Sequence, residues 1–153
     1  MPRPEFVYVS YIKTTPERLW EALTSSEFSK RYWFGTELRS DFKVGSSFAL
    51  VTNGATSDIG EILEADRPRR LSYTFKHVLK EGLRDEPVTK VVLTLEPYGD
   101  VVKLTLTHEG FTPQSKLLDG ISSGWPAIMS NLKSLMEAGE ALAMPPPCAE
   151  DKQ

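Results

Sequence analysis

Cysteine is nearly absent: Cys148 is the only one in 153 residues. A single thiol close to the C-terminus excludes an internal disulfide and any cysteine-based metal site. Histidine is scarce as well, with only His77 and His108. Neither stands at metal-ligand spacing from other ligating side chains, so no metal and no cofactor is expected. The chain has no phosphate-cradling glycine loop, no nucleophile elbow and no dinucleotide fingerprint. It has no apolar run near the ~20 residues of a membrane span. The start MPRPEFVYVS lacks the apolar core of a signal peptide, so a cytoplasmic protein without a membrane role is the expectation. Neither charge sign dominates: 18 Lys and Arg face 21 Asp and Glu, for a net charge of −3. Without a dense Lys/Arg cluster there is no electrostatic footprint for nucleic acid.

What is present is an ordinary globular balance, 40% apolar and 25% charged, enough for one domain with a real core. Residues 5–142 are read as that domain and 143–153 as a disordered, Pro-rich tail. The most periodic stretch is Gly120 to Leu142, where Ile121, Trp125, Ile128, Met129, Leu132, Leu135, Met136 and Leu142 fall on one helical face. Ser122 or Ser123 is the expected cap, with Pro126 in the first turn. A start nearer Lys116 would put Pro126 inside the helix and kink it.

Upstream, Glu5–Lys13 is rich in Val, Ile, Tyr and Phe and reads as a strand. Thr15 as cap and Pro16 at the first helical position open a short helix carrying Leu19, Trp20 and Leu23. A second starts near Ser25-Ser26, carries Phe28, Tyr32 and Trp33, and ends by Gly35. From Thr36 the period becomes two. Strands are placed at Glu37–Ser40, Ser47–Asn53, Ile59–Asp66, Arg70–His77, Thr89–Pro97 and Val101–Glu109, with turn residues between them. In the last hairpin Val91, Leu93 and Leu95 share the inner face with Leu104, Leu106 and His108, opposite a polar face. The order of elements gives an α+β fold, a twisted antiparallel sheet curving around one long helix, with room for a cavity because the helix is narrower than the sheet.

The string TPERLWEALTSSEFSKRYWFG, the turn DFKVGSSF, the piece IGEILEADRPRRLSYTF, the end HEGF and the helix start GW resemble one family over residues 5 to 140. It is the family related to the C-terminal domain of the activator of the ninety-kilodalton heat-shock chaperone ATPase, within the SRPBCC superfamily of START domains and birch-pollen-type allergens. Ser46 stands where members often carry a second glycine. The resemblance implies a helix-grip fold, about seven strands gripping the C-terminal helix around an internal pocket, with two short helices after strand one. It also offers a chaperone or other protein as partner.

Three functions follow. The favoured one is a non-enzymatic binder of a small apolar or amphipathic ligand between sheet and helix, with Trp33, Phe48, Tyr73, Phe75, Leu106, His108, Trp125 and Met129 as the candidate lining. The second is a protein-interaction module working through its outer surface. The third is a cyclase- or hydrolase-like enzyme, for which His108 is the one candidate base and no catalytic set is assigned. Trp125, Trp20 and Met129 also have an ordinary core role. His77 is read as solvated, and both monomer and homodimer are admitted.

Overall fold

The computed structural model describes residues 4–146. Among them are seven strands and three helices in the order β1 (Glu5–Ile12), α1 (Pro16–Leu23), α2 (Ser26–Tyr32), β2 (Thr36–Ser40), β3 (Ser47–Thr52), β4 (Ala55–Asp66), β5 (Arg70–His77), β6 (Thr89–Tyr98), β7 (Val101–Glu109) and α3 (Lys116–Ala138). The strands form one antiparallel sheet, ordered β1-β7-β6-β5-β4-β3-β2. Neighbours in sequence are neighbours in the sheet, except that β1 closes onto β7 while α1 and α2 carry the chain to the opposite edge. This is the expected helix-grip α+β architecture, and no helix among the described residues is long and apolar enough to cross a membrane.

Sheet curvature has local causes. The register shifts between Leu50 and Val51 in β3 and between Ile62 and Glu64 in β4, and such bulges bend a strand and increase its twist. Gly60 lies in the same stretch of β4, where a Cβ would stand 1.9 Å from the Thr74 carbonyl oxygen. Only glycine lets β4 approach β5 this closely. The concave face carries Leu38, Phe48, Leu50, Ile62, Tyr73, Leu93, Leu104 and Leu106, all buried in one core with residues of α1, α2 and α3. Phe48 and Tyr73 stack with ring centroids 4.3 Å apart.

The short helices are fixed by their ends. Thr15 caps α1 by accepting the Arg18 N–H at 3.2 Å, with Pro16 at the first position. Ser25 precedes α2 but makes no side-chain cap. The buried hydroxyl of Ser29 instead ties α2 to β2, donating to the Thr36 carbonyl at 2.8 Å and accepting the Leu38 N–H at 3.0 Å.

The long helix departs from its expected bounds at both ends. It starts at Lys116, capped by Ser115, and stops at Ala138, where Gly139 takes the left-handed conformation, φ 83°. A second cap explains the earlier start. Glu86 accepts the N–H groups of Lys116 and Leu117 at 2.9 and 3.1 Å and the Ser115 hydroxyl, while Ser115 accepts the Leu118 N–H. Three free donors of the first turn are thereby satisfied by two side chains, one of them 30 residues away. Pro126 consequently lies inside the helix, where its ring leaves the Ser122 carbonyl without a helical donor. Ser122 and Ser123 cap nothing; their hydroxyls bond back to the carbonyls of Leu118 and Gly120. Beyond the helix, the Leu142 N–H meets the buried Asn131 side chain at 3.0 Å. Of the expected tail, residues 143–146 are described without regular structure, whereas 147–153, Cys148 included, lie outside the described residues.

Candidate functional site

α3 fills the concavity unevenly. Its C-terminal half presents Ile128, Met129, Leu132, Leu135 and Met136 to the sheet, all buried. Its N-terminal half has glycine at 120 and 124, one turn apart on one face, and a Cβ at either would meet no neighbouring atom within 4 Å. The missing side chains leave space. Two adjoining cavities of about 490 Å³ each open there, and Trp33, Asp58, His77, Lys80, Gly120, Gly124 and Ile128 border both. The first continues between Phe75, Leu117, Ile121 and Trp125, and the second runs under the β3–β4 turn to Pro146.

Trp125 is the wall nearest the core. Its ring meets Trp33 edge-on, with centroids 5.2 Å apart, and its indole N–H donates to His108 Nδ1 at 3.0 Å. His108 Nε2 in turn contacts the Thr89 hydroxyl at 2.7 Å, and that hydroxyl donates to the Phe75 carbonyl at 3.0 Å. The Thr89 proton being committed to Phe75, its oxygen must accept, which puts the imidazole proton on Nε2 and the lone pair on Nδ1. His108 is therefore neutral and fully used. Burial moves its pKa from 6.5 down to about 3, as expected when the charged form has no water. With Phe75 and Phe111 packed on it at 5.0 and 4.6 Å, it fixes the orientation of Trp125 and offers no nitrogen to a substrate. The enzyme reading would need one of these hydrogen bonds to open before His108 could act as its base.

Three of the eight residues expected to line a pocket do so: Trp33, Phe75 and Trp125. Phe48, Tyr73, Leu106 and Met129 are core residues, each no more than 2% exposed, and His108 sits behind the Trp125 wall. Met129 falls on the filled half of α3, one helical turn beyond the hollow face.

A second polar group was not anticipated. His77, expected in solvent, is 8% exposed and donates through Nδ1 to Asp58 Oδ2 at 3.0 Å, beside the 6% exposed Asp58. The backbone N–H of Lys80 points at Nε2 from 3.0 Å, so the proton is on Nδ1. The Ser57 hydroxyl donates to Asp58 Oδ1 at 2.6 Å. The signal for His77 was in the sequence, since the alternation Leu71, Tyr73, Phe75 continues inward to it. Asp58 was hidden because β4 begins four residues earlier than its apolar run, and only the register Asp58 to His77 brings it to the site. An aspartate–histidine pair can serve as a general base when the outer nitrogen faces substrate. Here Lys80 occupies that nitrogen, leaving the pair to shape and charge the cavity.

Known structures share this fold. A Mesorhizobium loti protein aligns with a TM-score of 0.77 and 24% identity, over 90% of this chain and 99% of its own. The Aha1 dimer from Colwellia psychrerythraea gives 0.74 and 18%, over 89% and 98%. An HSP90 activator from Plasmodium falciparum gives 0.71 and 22%, over 89% and 96%. No curated protein matches the sequence significantly. The family model described as Activator of Hsp90 ATPase homolog 1-like protein matches residues 13–137, and the chain belongs to that family.

Proposed function

We propose that this chain binds a small apolar or amphipathic molecule in the space between the sheet and the N-terminal half of α3. The observation that supports this is the pair Gly120 and Gly124. A glycine inside a helix costs about 1 kcal/mol relative to alanine, so the two together lower the helix's own stability by about 2 kcal/mol. What they leave is a cavity of about 490 Å³, of the size that receives small ligands, with Trp33, Phe75 and Trp125 on its walls. The neutral fluorophore N-phenyl-1-naphthylamine tests it. Native protein should bind one equivalent, with tryptophan quenching and a raised melting point, since a ligand that prefers the native state stabilises it. No saturable binding by native protein would sink the reading.

A second reading, interaction with a chaperone or another protein, is supported by the family and by the relative described as an HSP90 activator. The outer face of β1 suits it, exposing Val7, Val9 and Tyr11 beside Tyr98. Capture of a chaperone that survives filling of the cavity and disappears with Val9→Lys would favour it. Light scattering on the same samples decides between the monomer and a homodimer.

A further inference from the structure

We propose that the ligand of this cavity carries an ammonium group, seated against Asp58 with its apolar body along the wall that Trp33, Phe75 and Trp125 form. The proposal rests on the cavity-binding reading and goes beyond it by assigning the ligand's charge. Asp58 is a buried carboxylate that borders both cavities. Its oxygens accept from the Ser57 hydroxyl and from His77 Nδ1. Because the Lys80 N–H needs a lone pair on Nε2, His77 is a neutral donor and not a countercharge. Among the described residues no lysine or arginine pairs with Asp58.

A buried charge without a partner is costly, and natural structures normally compensate it. A carboxylate offers about four lone-pair sites; donors among the described residues use two of them, so a further donor can be accepted. The neighbouring walls favour a cation for a separate reason. Trp33, Trp125 and Phe75 are among the residues that line the space, and aromatic rings attract ammonium groups. Lys80, Lys116 and Asp119 also border the opening, but all three are exposed. Their fields are screened by water, and the first two oppose the third, so the buried Asp58 sets the sign that a bound headgroup meets.

Octylamine, octanol and octanoate share one apolar body and differ in headgroup, and at pH 7 they are cationic, neutral and anionic. Each is titrated against protein holding N-phenyl-1-naphthylamine. The expected order is octylamine tighter than octanol by about tenfold, the value of one charge-assisted contact, with octanoate weakest. In Asp58→Asn, checked for folding by circular dichroism, amine and alcohol should bind within about threefold of each other. The ranking in the parent needs no variant, so the proposal is decided even if Asp58→Asn does not fold. Octanol binding as well as or better than octylamine, or octanoate binding tightest, overturns the ammonium assignment alone. Failure of all three ligands and of the fluorophore overturns it together with the cavity reading.

Discussion

Gly124→Leu separates a hollow interior from a solid one. Position 124 is helical, faces both cavities, and has no neighbouring atom within 4 Å of where a Cβ would stand. Leucine is nearly as good a helix former as alanine, so the substitution recovers about 0.8 kcal/mol of propensity. Fully burying a leucine side chain is worth about 1.5–3 kcal/mol, and a cavity open to solvent returns part of that. The sum is a gain of about 2 kcal/mol, equivalent to ~4–8 °C in melting temperature for a domain of this size. The same side chain occupies the ligand's volume, so N-phenyl-1-naphthylamine binding should fall at least ~10-fold while the protein becomes more stable. Met129→Trp is the matched control. Sequence periodicity puts Met129 on the pocket, but at 2% exposure in the core it should overpack and lose ~1–3 kcal/mol. Differential scanning calorimetry and fluorophore titration on the two variants give the answer. Destabilisation by Gly124→Leu, or unchanged fluorophore affinity in it, would refute the reasoning.

Gly60→Ala should destabilise by more than ~2 kcal/mol, because its Cβ would collide with backbone of β5 and not with a movable side chain; a denaturant midpoint equal to the parent's would contradict this. Glu86→Ala should lower stability by about 1–2 kcal/mol through loss of the α3 cap, with a detectable rise in protease cutting within residues 78–88. Acid sensitivity follows from His108. Its folded pKa of about 3 lies below the ordinary 6.5, so the unfolded chain takes up a proton that the native state refuses. Native stability should therefore decline by about 1.4 kcal/mol per pH unit between pH 6.5 and 3 on this account alone, and not at all above 6.5. His108→Phe should flatten the slope in that window relative to the parent, and identical slopes would show that His108 titrates normally.

The parts of the fold set by short-range periodicity were readable in advance. Alternation placed Val91, Leu93 and Leu95 beside Leu104, Leu106 and His108 on one face, and the same parity places His77 inward once β5 is followed to its end. Thr15-Pro16 marked α1 because capping is local chemistry. The start of α3 was misread for the converse reason. Its cap is shared with Glu86, and nothing in the local sequence shows that a carboxylate 30 residues upstream will occupy the first turn. For the candidate lining, periodicity points to several large residues that the structure packs in the core. Large apolar side chains such as Phe48, Leu106 and Met129 mark where a core is filled, whereas a cavity is marked by side chains that are missing. Gly120-x-x-x-Gly124 carried that signal.

The two ends of α3 thus answer different physical demands. From Ile128 onward the helix buries one apolar residue per turn or more, the contacts that hold the sheet in its curve. Before it, Gly120, Gly124 and Pro126 weaken the helix by propensity and by a lost hydrogen bond, against which Leu117 and Trp125 are the buried anchors. Such a segment would fray if left to itself, since helices this short are marginal without tertiary support. Its support comes from outside the cavity. Glu86 holds the first turn, Lys76 reaches the carbonyls of Arg84 and Glu86 to hold the loop that presents it, and His108 holds Trp125 from behind. Anchored at both ends, the segment borders the open space without surrendering the core behind it.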